Sequence, residues 1–125
     1  MNFTISISPD RHHLIAQVRQ NITPEVAKNL EKDYQDLIKK TGIKNILNDV
    51  RGYRDEIGDG QEVPITSRTK KLVGIPKGIR SAILVDYDDH THDFKELAAQ
   101  YAGSEVKLFY TKENAMDWLY RDKHN

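Results

Sequence analysis

The chain has 125 residues, 38% of them apolar and 30% charged, with Lys+Arg and Asp+Glu balanced at 19 each. That length suits one domain, 1–125, which buries roughly two-thirds of the unfolded chain's surface. Balanced charge argues against nucleic acid or an anionic membrane as the main partner, because phosphate neutralisation supplies most of such affinity. Cysteine is absent, which excludes disulfides, thiolate metal sites and thiol nucleophiles. The opening MNFTISISPDRHH alternates polar and apolar residues and lacks the continuous apolar core of a signal peptide. No apolar run approaches the ~20 residues of a membrane span, so a soluble cytoplasmic protein is the expectation.

Phe3, Ile5 and Ile7 alternate with Thr4, Ser6 and Ser8, the period of a strand with one buried face. Pro9-Asp10 supplies a turn, and Leu14 to Val18 resumes the extended pattern, which predicts an antiparallel hairpin. A first helix follows with defined limits. Thr23 caps it, Pro24 sits where a missing N–H costs nothing, and Glu25 suits the positive end. Val26, Leu30, Tyr34, Leu37 and Ile38 form one apolar stripe, and Lys39, Lys40 and Gly42 mark the end.

Three further units share a plan: a short apolar run, a polar junction, then a helical pattern. The runs are IKNILNDV, SAILVDY and EVKLFY, and the middle one is nearly continuous in apolar residues, as strands covered on both faces are. Helices are expected from Ile65 to Val73, over Phe94, Leu97, Ala98, Tyr101 and Ala102 up to Gly103, and after Thr111, where Ala115, Trp118 and Leu119 share a face. The turn-rich GYRDEIGDGQEVP before the second helix reads as a mobile loop. The predicted order is β-β-α-β-α-β-α-β-α, an α/β fold with a mixed, mostly parallel sheet and helices packed on it.

That order, the strand-end motif LNDVRG (Leu47 to Gly52) and the closing TKENAMDWL (Thr111 to Leu119) resemble the STAS superfamily, and within it the SpoIIAA-like branch of small bacterial proteins. The resemblance implies a four- or five-stranded mixed sheet and a non-enzymatic, regulatory or protein-binding role. The branch is also similar in fold to lipid-carrying CRAL-TRIO domains, which implies a small apolar ligand as the alternative. Anti-sigma-factor antagonists place a phosphorylatable serine in a DSSG-like turn at the second helix. Here DVRGYRDEIGDGQEVPITSR stands in its place, and Thr66 and Ser67 lie near the helix start without that turn.

Candidate site residues follow from the rule that ligands bind outside the carboxyl ends of parallel strands. Asp49 and Asp86 end neighbouring runs and are expected on that rim. With His90 or His92 they compose a donor set for a divalent ion, the basis of a metal-dependent enzyme as the outside alternative. The plainer reading makes Thr91 a helix cap, Asp93 a complement to the positive helix end, and Asp88 and Asp89 turn formers. The plainer reading is preferred, and no metal or cofactor is expected.

Val63 to Val85 carries Arg68, Lys70, Lys71, Lys77 and Arg80 with no acid. Arg68 and Lys71 share a helix face beside Thr66 and Ser67, a contact for an anion or an acidic partner; the alternative is a solvated helix face. Arg51, Tyr53, Arg54 and Ile57 combine aromatic, apolar and guanidinium groups, the usual anchors of a protein interface or the lid of an apolar pocket. Trp118 and Phe109 are assigned to the core. The chain contains no GxSxG, no GxxxxGK[ST] and no GxGxxG, so catalysis is not expected; a protein partner or a second copy of the chain is.

Overall fold

A computed structural model describes residues 2–56, 78–93 and 105–121. The hairpin β1 (Phe3–Ile7) and β2 (Leu14–Val18) leads into helix α1 (Pro24–Thr41), then β3 (Asn45–Asp49), β4 (Arg80–Leu84), β5 (Glu105–Phe109) and helix α2 (Lys112–Arg121). The five strands form one sheet in the order β1-β2-β3-β4-β5. β1 runs antiparallel to β2, whereas β2, β3, β4 and β5 are all parallel neighbours. The expected helices at 65–73 and 94–102 lie outside the described residues.

Helix α1 begins and ends as its sequence requires. The Thr23 hydroxyl accepts the Val26 amide at 3.2 Å, Pro24 takes the first turn, and Gly42 closes the helix with φ 74° and its amide on the Ile38 carbonyl. Glycine is needed at that cap because a left-handed backbone is costly for a residue with a Cβ. Helix α2 is capped the same way, by the Thr111 hydroxyl on the Asn114 amide at 3.2 Å.

The strand alternation sends side chains to two layers. One holds Leu14, Ala16, Val18, Ile46 and Ile83 with Val26, Leu30 and Tyr34 of α1. The other holds Leu47, Ala82 and Leu84 with Ala115 and Leu119 of α2. Phe109 and Trp118 pack half-buried at the margin of this second layer, with ring centroids 5.6 Å apart, rather than inside it. The Arg80 guanidinium lies 4.1 Å over the Trp118 ring and its Nε is 2.8 Å from Glu105, which explains why Trp118 stays at the margin. Arg80 of the basic run thereby serves the fold. At the same end of the sheet His12 stacks on Tyr120, whose hydroxyl bonds Asp10 in the hairpin turn.

Each fully buried Leu or Ile contributes about 1.5–3 kcal/mol, several times an exposed ion pair. Packing of the two layers therefore holds the sheet, and polar contacts at its ends only shape it. The polar pair inside the first layer is an exception. The Tyr34 hydroxyl donates to Asn48 Oδ1, and burial pushes the phenol's pKa well above its ordinary value, so it stays a donor. A Tyr34→Phe variant removes that donor and leaves the Asn48 oxygen without it inside the layer. It is expected to lose ~1–3 kcal/mol of unfolding free energy in urea titration; an unchanged midpoint would show that the pair contributes nothing.

Candidate functional site

Because β3, β4 and β5 are parallel and in register, with Asp49 opposite Leu84 and Leu84 opposite Phe109, their carboxyl ends emerge along one edge. Three connections meet there: residues 19–23 before α1, 50–56 after β3, and 86–93 after β4.

Hydrogen bonds between these connections are numerous and specific. The Val50 amide donates to the Leu84 carbonyl at 3.1 Å, and the Gly52 amide to Asp86 Oδ2 at 2.6 Å. Gly52 turns with φ 88°, again a glycine position. The Asp55 amide donates to the Thr91 hydroxyl at 2.9 Å, and that hydroxyl donates to Asp89 Oδ1 at 2.6 Å. On the other flank Ile22 and Asp55 form a parallel bridge, with the Ile22 amide on the Arg54 carbonyl and the Glu56 amide on the Ile22 carbonyl. Asn21 accepts the Arg54 amide at 2.9 Å.

At the centre of this mesh His92 is 0% exposed and Asp55 2%. His92 Nε2 lies 3.0 Å from the Tyr53 carbonyl oxygen. A carbonyl only accepts, so Nε2 carries a proton and donates. Asp89 Oδ2 approaches the same nitrogen at 3.4 Å, and Asp55 Oδ2 stands 3.9 Å from Nδ1. Burial pushes the Asp89 carboxyl up, but the side-chain and backbone hydrogen bonds from Thr91, with His92 and Arg54 adding, hold it below the ordinary value.

Nearer the solvent, Arg51 grips Asp49 through two nitrogens, at 2.9 and 2.7 Å, and these bonds lower the carboxyl's pKa. His90 is exposed and bonds Asp93 at 3.2 Å. Tyr87 and Tyr110 lie beyond the ends of β4 and β5 with 79% and 52% of their surfaces exposed, and their rings meet edge to face at 5.4 Å.

Of the residues expected on the rim, Asp49, Arg51, Tyr53, Arg54 and Asp86 are thus gathered at one edge. Asp49, Asp86 and His90 do not converge on a common point: each is engaged by a different group, namely Arg51, the Gly52 amide and Asp93. Among the described residues no group of three or more histidines and carboxylates is placed to hold a metal ion. Ile57, Thr66, Ser67, Arg68 and Lys71 lie outside the described residues. The mobile loop expected from Gly52 onward is corrected in its first part, since Gly52 to Glu56 is pinned on both flanks. The helix that Thr91 is expected to cap lies outside the described residues; the Thr91 hydroxyl joins Asp55 to Asp89. Sequence reasoning passed over Asp55, Tyr87 and Tyr110. Their only signal was position: Asp55 three residues past the LNDVRG turn, the two tyrosines closing the strand runs SAILVDY and EVKLFY.

No family model matches the chain, and no curated protein does. Among solved structures, the chain is similar to an uncharacterized protein of the DUF3478 family from Shewanella loihica, described as having a SpoIIAA-like fold. The two are 22% identical, the match covers 94% of each chain, and the TM-score is 0.51. The chain has a SpoIIAA-like fold. No helix among the described residues is long and apolar enough to cross a membrane.

Asp89 and Asp49 both sit below the ordinary carboxylate value of 3.8. A carboxylate depressed by folding contributes stability that is present above its unfolded value and lost as pH falls through the folded one. Thermal melts of the wild type are expected to drop progressively as the pH falls below about 4. An Asp89→Asn variant is expected to show a shallower decline over that window; curves of equal slope would contradict the assignment.

Proposed function

We propose that this protein is a non-catalytic regulatory module that docks a partner protein on the carboxyl edge of its sheet. The observation that carries this reading is the exposed, edge-to-face pair Tyr87–Tyr110 on a rim whose connections are joined by hydrogen bonds. Large aromatics that stay in water on a rigid support are typical anchors of protein interfaces, because they bury much area while losing little conformational freedom. Arg51 stands on the same edge, and Asp86 and Asp88 flank Tyr87, which favours a partner presenting Arg or Lys around an apolar centre.

The rim also supports binding over catalysis. Its most deeply buried titratable groups, His92 and Asp55, face each other inside the rim: the His92 ring bonds to the Tyr53 carbonyl, the Asp55 carboxylate stands 3.9 Å from that ring, and solvent does not reach His92. The SpoIIAA-like fold is consistent with such a role.

A photo-crosslinking residue placed at Tyr87 is expected to capture a discrete protein in cells, whereas the same residue at the exposed Lys32 on α1 captures none of it. Identical capture at both positions would contradict the docking edge. A small apolar molecule retained by the purified protein in native mass spectrometry, and displaced by Tyr87→Ala/Tyr110→Ala, would replace docking with ligand carriage.

A further inference from the structure

The two edges of the sheet are not alike. β5, at one edge, reads EVKLF and carries exposed Glu105 and Lys107, the charges that natural sheets use to keep edges from pairing. β1, at the other, reads FTISI, with no charge and no proline.

The hydrogen bonds inside the hairpin show what the β1 edge offers. The Ser8 amide donates to the His13 carbonyl at 2.9 Å and the Arg19 amide to the Asn2 carbonyl at 2.7 Å. These fix Asn2, Thr4, Ser6 and Ser8 as the residues bonded to β2, since bonded and non-bonded pairs alternate in an antiparallel ladder. Phe3, Ile5 and Ile7 therefore turn their N–H and C=O groups outward, and no described residue pairs with them. Their side chains are only half-buried where they pack against the α1 layer.

We propose that β1 is a homodimerisation edge, pairing antiparallel with β1 of a second copy about a two-fold axis at Ile5. The sequence is self-complementary in that register. Ile5 faces its symmetry mate and Phe3 faces Ile7 of the other copy, so the outward-pointing residues form three bonded pairs of two hydrogen bonds each. On one face, three half-exposed apolar side chains from each copy join into a single row beside both α1 layers. On the other face Thr4 falls opposite Ser6 of the second copy, and no like charges meet. The result is one continuous sheet across two copies, with the Tyr87–Tyr110 edges left free. This edge is separate from the docking rim and stands or falls without it.

Sedimentation equilibrium at micromolar concentration tests it. The wild type is expected to be a dimer. Thr4→Lys/Ser6→Lys sets like charges across both facing pairs without touching the ladder to β2, and is expected to weaken the dimer roughly tenfold or more while the melting temperature of the monomer fold is kept. Thr4→Lys/Ser6→Glu sets opposite charges across the same pairs and is expected to restore association. A monomeric wild type overturns the proposal, as does a dimer indifferent to the paired lysines. A folded Lys/Glu variant that stays monomeric overturns the register.

Discussion

A ring N–H on a histidine with no exposed surface must find its acceptor within the protein, because water cannot supply one. In this chain that requirement organises the carboxyl edge of the sheet. His92 donates to the Tyr53 carbonyl and has the carboxylates of Asp89 and Asp55 on either side. The Asp55 amide in turn needs Thr91, and the Asp55 segment pairs with Ile22. The buried ring and the groups packed around it thus link three connections that are far apart in sequence.

The sheet supplies the frame for that arrangement, and its contribution is different in kind. Apolar burial against α1 and α2 sets the strands side by side and parallel, but it carries no information about the loops beyond their ends. The polar mesh supplies that information. On the proposed docking reading, a partner meets aromatic surface at an edge whose connections are already joined by folding, which lowers the ordering cost of binding. The opposite end of the sheet is also built from polar and aromatic contacts, Arg80 on Trp118 and His12 on Tyr120, but these lie between elements already packed and clamp α2 rather than present a surface.

Much of the frame was legible in the sequence because its signals are local. Thr23-Pro24-Glu25 and Gly42 bracket α1, and AILV announces a strand covered on both faces. The shared edge for Asp49 and Asp86 followed from parallel pairing alone. The interior of the rim was not legible, because its bonds join residues 36 and 39 positions apart through a side chain and a backbone group. No periodicity records such a contact. His92 thus read as a potential metal ligand, although its burial makes it part of the scaffold, and the segment from Gly52 onward read as mobile because turn formers are common to loose and to pinned loops alike. The exposed tyrosines were equally silent, since a tyrosine after a strand looks the same whether it folds inward or stays in water.

Amide hydrogen exchange measures the central claim most directly, through the Gly52 and Asp55 amides, which donate to Asp86 and Thr91. The account expects both to exchange as slowly as sheet amides in the wild type. In a His92→Ala variant both should lose protection while the amides of Leu47 and Ala82 keep theirs. Rapid exchange at Gly52 and Asp55 in the wild type, or unchanged protection without the imidazole, would contradict the claim that this buried ring holds the edge together.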